Sequence, residues 1–133
     1  MQITRQADYA IRAVHYLSRV GNQRAATSTV AKEMKIPPSF LAKIISQLSI
    51  AGIVQTSRGA HGGVRLARPP EEITLLDVVE AIDGPIHLNE CVADPAKCEF
   101  SEYCIMHPVW VEAQQILAER LRSTTFANLK QQE

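Results

Sequence analysis

Two adjacent prolines, Pro37 and Pro38, separate a short apolar segment from a longer one, and this break constrains the fold more than any other feature. The segment before the prolines begins at Ser28 and is predicted to be a short helix, because proline removes a backbone donor and ends the helix. Pro38 suits the first turn of the next helix, and Gly52 lies just past its end. A short helix, a tight turn and a longer helix are typical of a helix-turn-helix.

The longer helix is predicted to have an apolar inner stripe and a polar outer face. The inner stripe consists of Phe40, Leu41, Ile44, Ile45 and Leu48. The outer face consists of Ser39, Lys43, Ser46 and Gln47, which we expect to reach the major groove of DNA. Gln47 can read adenine through a pair of hydrogen bonds.

A short hairpin is predicted directly after this helix, with strands over residues 53–56 and 64–67 and a glycine-rich tip between them. Glycine lets the backbone approach a phosphate chain closely, so we expect Arg58, His61 and Arg65 to hold the minor groove and phosphates. For the glycines alone, an ordinary mobile hairpin is the alternative. The predicted fold class is mainly α with a small β wing, a winged helix-turn-helix with a long C-terminal dimerisation helix.

Charge is distributed very unevenly along a chain whose net charge is zero. Residues 1–70 contain ten basic and two acidic side chains, whereas residues 71–104 contain nine acidic and one basic. A basic segment on a helix-turn-helix predicts double-stranded DNA as the partner, although a solvated surface is the usual alternative. The expected contacts to the DNA backbone come from Arg5, Arg24, Lys32 and Lys35. The acidic segment is expected to lie away from the DNA.

Three further helices are predicted. Thr4 can cap a first helix over residues 5–20, and a capping box from Thr74 to Asp77 opens a helix that Gly84 ends. The last helix begins at Pro108 and has a wide apolar face, which predicts a seam between two copies of the chain, with packing onto its own domain as the alternative. We therefore divide the chain into a DNA-binding domain (1–83), a cysteine-rich loop (84–107) and a dimerisation helix with its tail (108–133).

Residues 84–104 show no helical or strand period and contain all three cysteines, Cys91, Cys98 and Cys104, in the pattern C-x6-C-x5-C. Long irregular loops are usually functional, and soft thiolates can converge on one inorganic centre. An iron–sulfur cluster is the preferred interpretation, with His107 three residues beyond the last cysteine. Zinc bound by the same four residues is a weaker alternative because no C-x2-C knuckle occurs, and a thiol redox switch leaves one cysteine unexplained.

Other classes of function have little support. The chain contains no nucleophile elbow, P-loop, dinucleotide fingerprint or HExxH motif, which argues against an enzyme. The longest run without charge, residues 44–57, is too short and too polar to cross a bilayer, so no membrane partner is expected. An odd number of cysteines and the lack of a secretory leader favour the cytoplasm. A winged helix without a cluster, responding to a small molecule or a protein, is the second candidate.

Several motifs together resemble one known family over nearly the whole chain. They are Met1-Gln2-Ile3-Thr4, Asp8-Tyr9-Ala10, Pro38-Ser39-Phe40-Leu41, Gly52-Ile53-Val54, the wing tip from Arg58 to Gly63, the three cysteines, and His107-Pro108-Val109-Trp110. On these residues the chain resembles the IscR/NsrR-type bacterial regulators of the Rrf superfamily.

The resemblance implies a homodimeric transcription factor that carries a 2Fe–2S or 4Fe–4S cluster. It implies that promoters are regulated according to iron–sulfur status, nitric oxide or redox stress, and we expect a repressor. By the same resemblance, Cys91, Cys98 and Cys104 hold the cluster with a fourth ligand that is either His107 or the partner's Asp8. Without the resemblance, Asp8 is expected to pair with Arg12 one turn along the helix. We favour 4Fe–4S through Asp8.

Overall fold

The computed structural model of the protein describes residues 2–100 and 102–130. Its helices are α1 (Arg5–Val20), α2 (Thr27–Met34), α3 (Pro38–Ile50), α4 (Leu75–Asp83), α5 (Glu90–Ala93), α6 (His107–Arg122) and α7 (Phe126–Lys130). Two strands, β1 (Val54–Ser57) and β2 (Gly63–Leu66), form an antiparallel hairpin. The predicted fold class, mainly helical with a small sheet, is therefore confirmed.

Helix α1 is the central helix of the core. The Thr4 Oγ1 accepts a hydrogen bond of 3.1 Å from the Ala7 N–H, which satisfies one of the donors that a helix start leaves unpaired. The buried stripe of α1 includes Ala10, Val14 and Leu17. Helix α1 packs against α2, α3, α4 and α7, so it connects the helix-turn-helix to the C-terminal part of the chain. The predicted bounds of this helix are correct.

The helix-turn-helix is present as predicted, with α2 beginning at Thr27, one residue before the expected Ser28. Helix α2 ends where Lys35 adopts the left-handed conformation (φ 55°) and its N–H reaches the carbonyls of the last turn. Pro38 occupies the first turn of α3. The inner stripe of α3 consists of Leu41, Ile44, Ile45 and Leu48. Including Phe40 in that stripe was wrong, since its ring is 40% exposed and lies 6.0 Å from that of Tyr9.

The wing follows α3 directly. In the hairpin Val54 is opposite Leu66 and Ser57 is opposite Gly63, so each strand is displaced by one residue from its predicted span. Val64 also exchanges two backbone hydrogen bonds, of 2.8 and 2.9 Å, with Ala25 in the connection between α1 and α2. The base of the wing is therefore fixed to the helical core.

Beyond the wing, the predicted capping box of α4 is present, with Thr74 and Asp77 exchanging two hydrogen bonds of 3.0 Å. The loop predicted to lack regular structure contains α5 and a single 3-10 turn at Pro95–Lys97, so that prediction was too strong. Helix α6 begins at His107, one residue before the predicted start. No described helix combines the length and apolar character needed to span a membrane.

The last helix returns to the core. Phe126, the first residue of α7, is fully buried, and its N–H donates a 3.0 Å hydrogen bond to the carbonyl of Ile73. Helix α7 packs on α1. The C-terminal residues 126–130 therefore contact the same core as the helix-turn-helix, while the proposed division of the chain into three functional regions remains a prediction.

Candidate nucleic-acid interface and cysteine loop

The outer face of α3 presents a row of polar side chains to solvent. Ser39, Lys43 and Ser46 are all exposed, and their spacing of four and three residues places them on one side of the helix. The opposite side is buried in the core. This arrangement leaves an ammonium group and two hydroxyls free to contact bases or phosphates, as a recognition helix requires.

Gln47 differs from the other three predicted contacts. Its side chain is half-buried, and its Oε1 is buried without a hydrogen-bond partner among the described residues. A paired contact to adenine needs both the oxygen and the nitrogen of the amide at the base edge. Reading adenine through Gln47 therefore requires rotation of this side chain out of its position in the structure.

Two of the three wing residues that are predicted to contact DNA are exposed to solvent. Arg58 and His61 are exposed, and Gly59 has a left-handed φ of 98° that turns the chain between the strands. Arg65 is half-buried, and its Nε and Nη2 lie 3.4 and 3.2 Å from the Oε1 of Gln55 on the facing strand. Arg65 therefore already has a partner within the hairpin.

Two wing glycines are required by the fold itself. A Cβ atom on Gly62 would overlap the carbonyl oxygen of Ser57, and one on Gly63 would overlap the carbonyl oxygen of Ala25. Gly63 also has a φ of 143°, which side chains rarely allow. Close packing within the chain therefore accounts for these two glycines without any contact to DNA.

The predicted backbone-contacting residues form three separate groups. Arg24 lies with His61 and Arg65 around a shallow depression beside the wing. Arg5 and Lys35 lie with Arg12 and Asp8 near the start of α1. Lys32 borders a depression between α2 and α3.

The three cysteines are not gathered at one point. Cys91 is buried in α5, while Cys98 and Cys104 are half-buried, and each is a free thiol. Within residues 2–100 and 102–130, no three His, Cys, Asp or Glu side chains stand close enough together to share a metal ion. The structure therefore places the predicted sulfur ligands on one short segment without a formed site.

The two candidate fourth ligands have different surroundings. Asp8 is exposed and forms a 2.9 Å ion pair with Arg12, the pairing expected for an acid one turn before an arginine. His107 is the first residue of α6, and its Nδ1 is buried without a hydrogen-bond partner among the described residues. Of the two, His107 lies on the cysteine segment and carries an unsatisfied ring nitrogen.

Two polar contacts near the start of the loop were not predicted from the sequence. The Oε1 of Gln114, on α6, accepts a 3.0 Å hydrogen bond from the Leu88 N–H. Just before the loop, at the end of α4, the Thr4 Oγ1 donates a 2.6 Å hydrogen bond to the Asp83 carboxylate. A glutamine within an apolar stripe was a usable signal for the first contact, whereas the second joins residues 79 positions apart.

Helix α6 leaves a large apolar surface uncovered. None of its residues, all of which the structure describes, is buried. Val109 and Trp110 are exposed, and Ile116 is 65% exposed. The apolar side chains exposed just before the helix are Phe100, Tyr103, Ile105 and Met106. Exposed apolar side chains concentrated in one segment of the chain are typical of a protein interface.

Known proteins share this architecture along the full chain. The model of the Rrf2 family, described as an iron-dependent transcriptional regulator, matches residues 3–132. A protein of Aquifex aeolicus (strain VF5), named as an HTH-type transcriptional regulator, is 34% identical over 123 residues, 91% of this chain and 85% of the relative.

Two solved structures have the same fold. CymR, the global cysteine regulator of B. subtilis, is 27% identical with a TM-score of 0.81, and the match covers 100% of this chain and 98% of CymR. T. potens IscR is 24% identical with a TM-score of 0.77, covering 100% of this chain and 89% of IscR, and this likeness concerns the fold.

Proposed function

This chain belongs to the Rrf2 family of transcriptional regulators, and we propose that it is a homodimeric repressor whose affinity for operator DNA is set by an iron–sulfur cluster. The observation that carries the proposal is the exposed polar face of α3 beside a basic wing, in the same chain as three free thiols. The Rrf2 family and the Aquifex aeolicus relative are described as transcriptional regulators, so the chain is a regulator and not an enzyme.

DNA binding is supported by the position of the charged groups. Lys43 on α3 and Arg58 on the wing are exposed and carry positive charge on consecutive elements, as expected for contacts to a major groove and to the adjacent phosphates. Ser39 and Ser46 add hydroxyls on the same face of α3. The nine acidic residues of 71–104 follow the wing in the sequence, and no acidic residue occurs between Glu33 and Glu71, the stretch that contains α3 and the wing.

Dimerisation is supported by the exposed face of α6. Ile116 and Val109 lie seven residues apart on one side of the helix, whereas Leu117 and Leu121 face the chain's own small cluster around Leu76. The helix thus has one apolar side used within the chain and another that a second copy would cover.

The side chains of the loop include the donors that an iron–sulfur cluster needs, although in the structure these donors do not lie close enough together to share a metal ion. Cys91, Cys98 and Cys104 supply three soft thiolates, and the buried, unpartnered Nδ1 of His107 is a fourth donor on the same segment. The partner's Asp8 is the other candidate, and its use requires release from Arg12. A bound cluster would supply a centre sensitive to oxidation and nitric oxide.

The chain's own contacts give a route from the loop to α3. The loop begins after Asp83, which holds Thr4 at the start of α1, and Leu88 is bonded to Gln114 on α6. Helix α1 in turn packs against α3. Ordering or releasing the loop would therefore change the forces on both the helix that supports recognition and the helix that joins the two copies.

A regulator without a cluster is the second candidate. It is favoured by the separation of the three cysteines in the structure and by the likeness to a protein described as a global cysteine regulator. In this candidate the cysteines are structural or bind zinc, and a small molecule or a protein partner controls DNA binding.

The test begins with protein purified without oxygen. We expect a brown protein with visible absorption, and iron and acid-labile sulfide that both disappear in Cys98→Ser. Replacing Asp8 and His107 separately by Ala identifies the fourth ligand, because loss of that ligand changes the spectrum and shortens the lifetime of the cluster in air. Colourless protein containing zinc, or no metal at all, would support the second candidate.

A further inference from the structure

A depression lies between α2 and α3 at the surface of the helix-turn-helix. Its floor is apolar and buried, formed by Ala31, Ile36, Leu41 and Ile45. Its rim includes exposed residues of both helices, Thr27, Ser28 and Lys32 from α2 and Pro38 and Ala42 from α3. The motif that reads DNA therefore contains an apolar recess that the polar face of α3 does not use.

Ala42 connects this recess to the outer face of α3. It stands three residues after Ser39 and four before Ser46, so its methyl group lies at the border between the polar row and the recess. Ala42 is exposed, so packing within the chain leaves its methyl group free to contact a ligand.

The surroundings indicate that a DNA duplex covers the recess. None of its lining residues is acidic, and Lys32 with the hydroxyls of Thr27 and Ser28 can bind a phosphate at the rim. Lys43 on α3, next to Ala42, adds a second positive charge to that of Lys32 on α2. An apolar surface flanked by phosphate-binding groups matches the edge of a base pair in the major groove, where thymine alone presents a methyl group.

We propose that this recess receives the 5-methyl group of a thymine, and that Ala42 is a specificity-determining residue for the operator. The inference rests on the proposed DNA-binding function. It names thymine as the base that the apolar edge of α3 selects, since cytosine carries only hydrogen at C5 and has an amino group where thymine has its O4 carbonyl. The hydroxyls and lysines of the outer face read or hold the neighbouring positions.

The test starts with the full-length protein, purified without oxygen, and a random duplex library from which bound sequences are selected. Each thymine of the selected site is then replaced by uracil, and dissociation constants are measured by fluorescence anisotropy. Loss of a single buried methyl group is expected to weaken binding about fourfold at one thymine of each half-site. At the same position, a C·G pair should bind more tightly, by a similar factor, when the cytosine carries a 5-methyl group.

Two variants connect the effect to Ala42. In Ala42→Gly and Ala42→Ser, the dissociation constant for the uracil duplex divided by that for the thymine duplex should fall towards one. The reason is that the thymine methyl group loses its apolar contact. Ser46→Ala is the matched control on the same face; whatever its overall affinity, it should keep the wild-type ratio. Circular dichroism checks that each variant folds. If Ala42→Gly does not fold, Ala42→Ser serves as the test, because serine is tolerated in a helix better than glycine.

The outcomes separate this inference from the function on which it rests. Selection of a defined site with no thymine sensitive to loss of its methyl group would overturn the methyl contact and leave the regulator intact. A sensitive thymine whose ratio is unchanged in both Ala42 variants would also overturn it. Failure to select any sequence would overturn the proposed function, and this inference with it.

Discussion

Gly63 shows how a single residue determines where the wing lies. Its φ of 143° is readily adopted by glycine and rarely by other residues, and a Cβ atom there would overlap the carbonyl of Ala25. That carbonyl accepts the 2.8 Å hydrogen bond from the Val64 N–H. The glycine therefore allows the bridge through which β2 is held against the connection between α1 and α2.

We predict that Gly63→Ala destabilises the protein by about 3 kcal/mol or more, because backbone strain and overlap with backbone atoms act together. Gly52→Ala is the matched control: Gly52 has a φ of 76° but open space around it, and only about 1 kcal/mol is expected. Urea unfolding of the two variants measures the difference. Equal losses would show that the bridge to Ala25 contributes nothing to stability.

The glycine-rich tip also shows what the sequence leaves open at this scale. Glycines that follow an arginine and a histidine are compatible with close approach to DNA and with close packing inside the chain. Gly62 and Gly63 belong to the second case, because their neighbours are Ser57 and Ala25. Residue 25 is distant in the sequence, so no local pattern could have identified that contact.

At the scale of elements, local rules placed the helices well. Thr4 and the Thr74–Asp77 capping box marked helix starts correctly because a capping bond involves only residues three positions apart. The strands were displaced by one residue and Phe40 was assigned to the wrong face. Both depend on packing against other elements, such as the ring of Tyr9, which is 31 residues earlier and cannot be inferred from periodicity.

The wing as an element is expected to contribute charge to DNA binding. We predict that Arg58→Ala weakens operator binding about tenfold and lowers the slope of log K against log salt by about one, since one phosphate contact is lost. The measurement is a salt titration of affinity. Arg122→Ala, which removes an exposed arginine paired with Glu119 on α6, is the matched control and should keep the slope. The same slope for Arg58→Ala and wild type would exclude the wing from the interface.

Helix α7 was not predicted from the sequence. Substitutions in it measure how much the C-terminal residues contribute to the stability of the core. We predict that Phe126→Ala costs about 3–5 kcal/mol of stability, because a fully buried aromatic ring is removed from the surface of α1. Ile50→Ala removes an apolar side chain that is 85% exposed and lies away from α6, and should cost less than about 0.5 kcal/mol. Thermal unfolding of both variants is the measurement, and similar losses would contradict the packing of α7.

At the scale of the whole molecule, the sequence indicated the fold class and the exposed polar face of α3 but not the state of the cysteine loop. In the proposed function, the three thiols of the loop converge on a bound cluster, and a metal site of this kind rarely forms before its metal binds. The structure of one chain shows the thiols free and apart. The proposed cluster ligands are therefore chosen from the chemistry of the donor atoms and from the resemblance to the family, and not from the positions of these side chains in the structure.

The dimer is tested at the same scale. We predict that Ile116→Asp converts the protein to a monomer, because it places a charge in the apolar face of α6, and that affinity for a two-part operator falls about a hundredfold or more. Gln115→Asp introduces the same charge on another side of α6 and should remain dimeric. Sedimentation velocity gives the oligomeric state, and a dimeric Ile116→Asp protein would exclude this face of α6 as the seam.

The central claim, that a cluster held by the cysteine loop sets the affinity for DNA, is tested most directly by one comparison. Operator affinity is measured anaerobically for cluster-loaded protein and for the same preparation after removal of the cluster, with Cys98→Ser beside them. We predict a change of at least about tenfold on removal and a Cys98→Ser protein that matches the cluster-free form. The same affinity in all three samples would contradict the account.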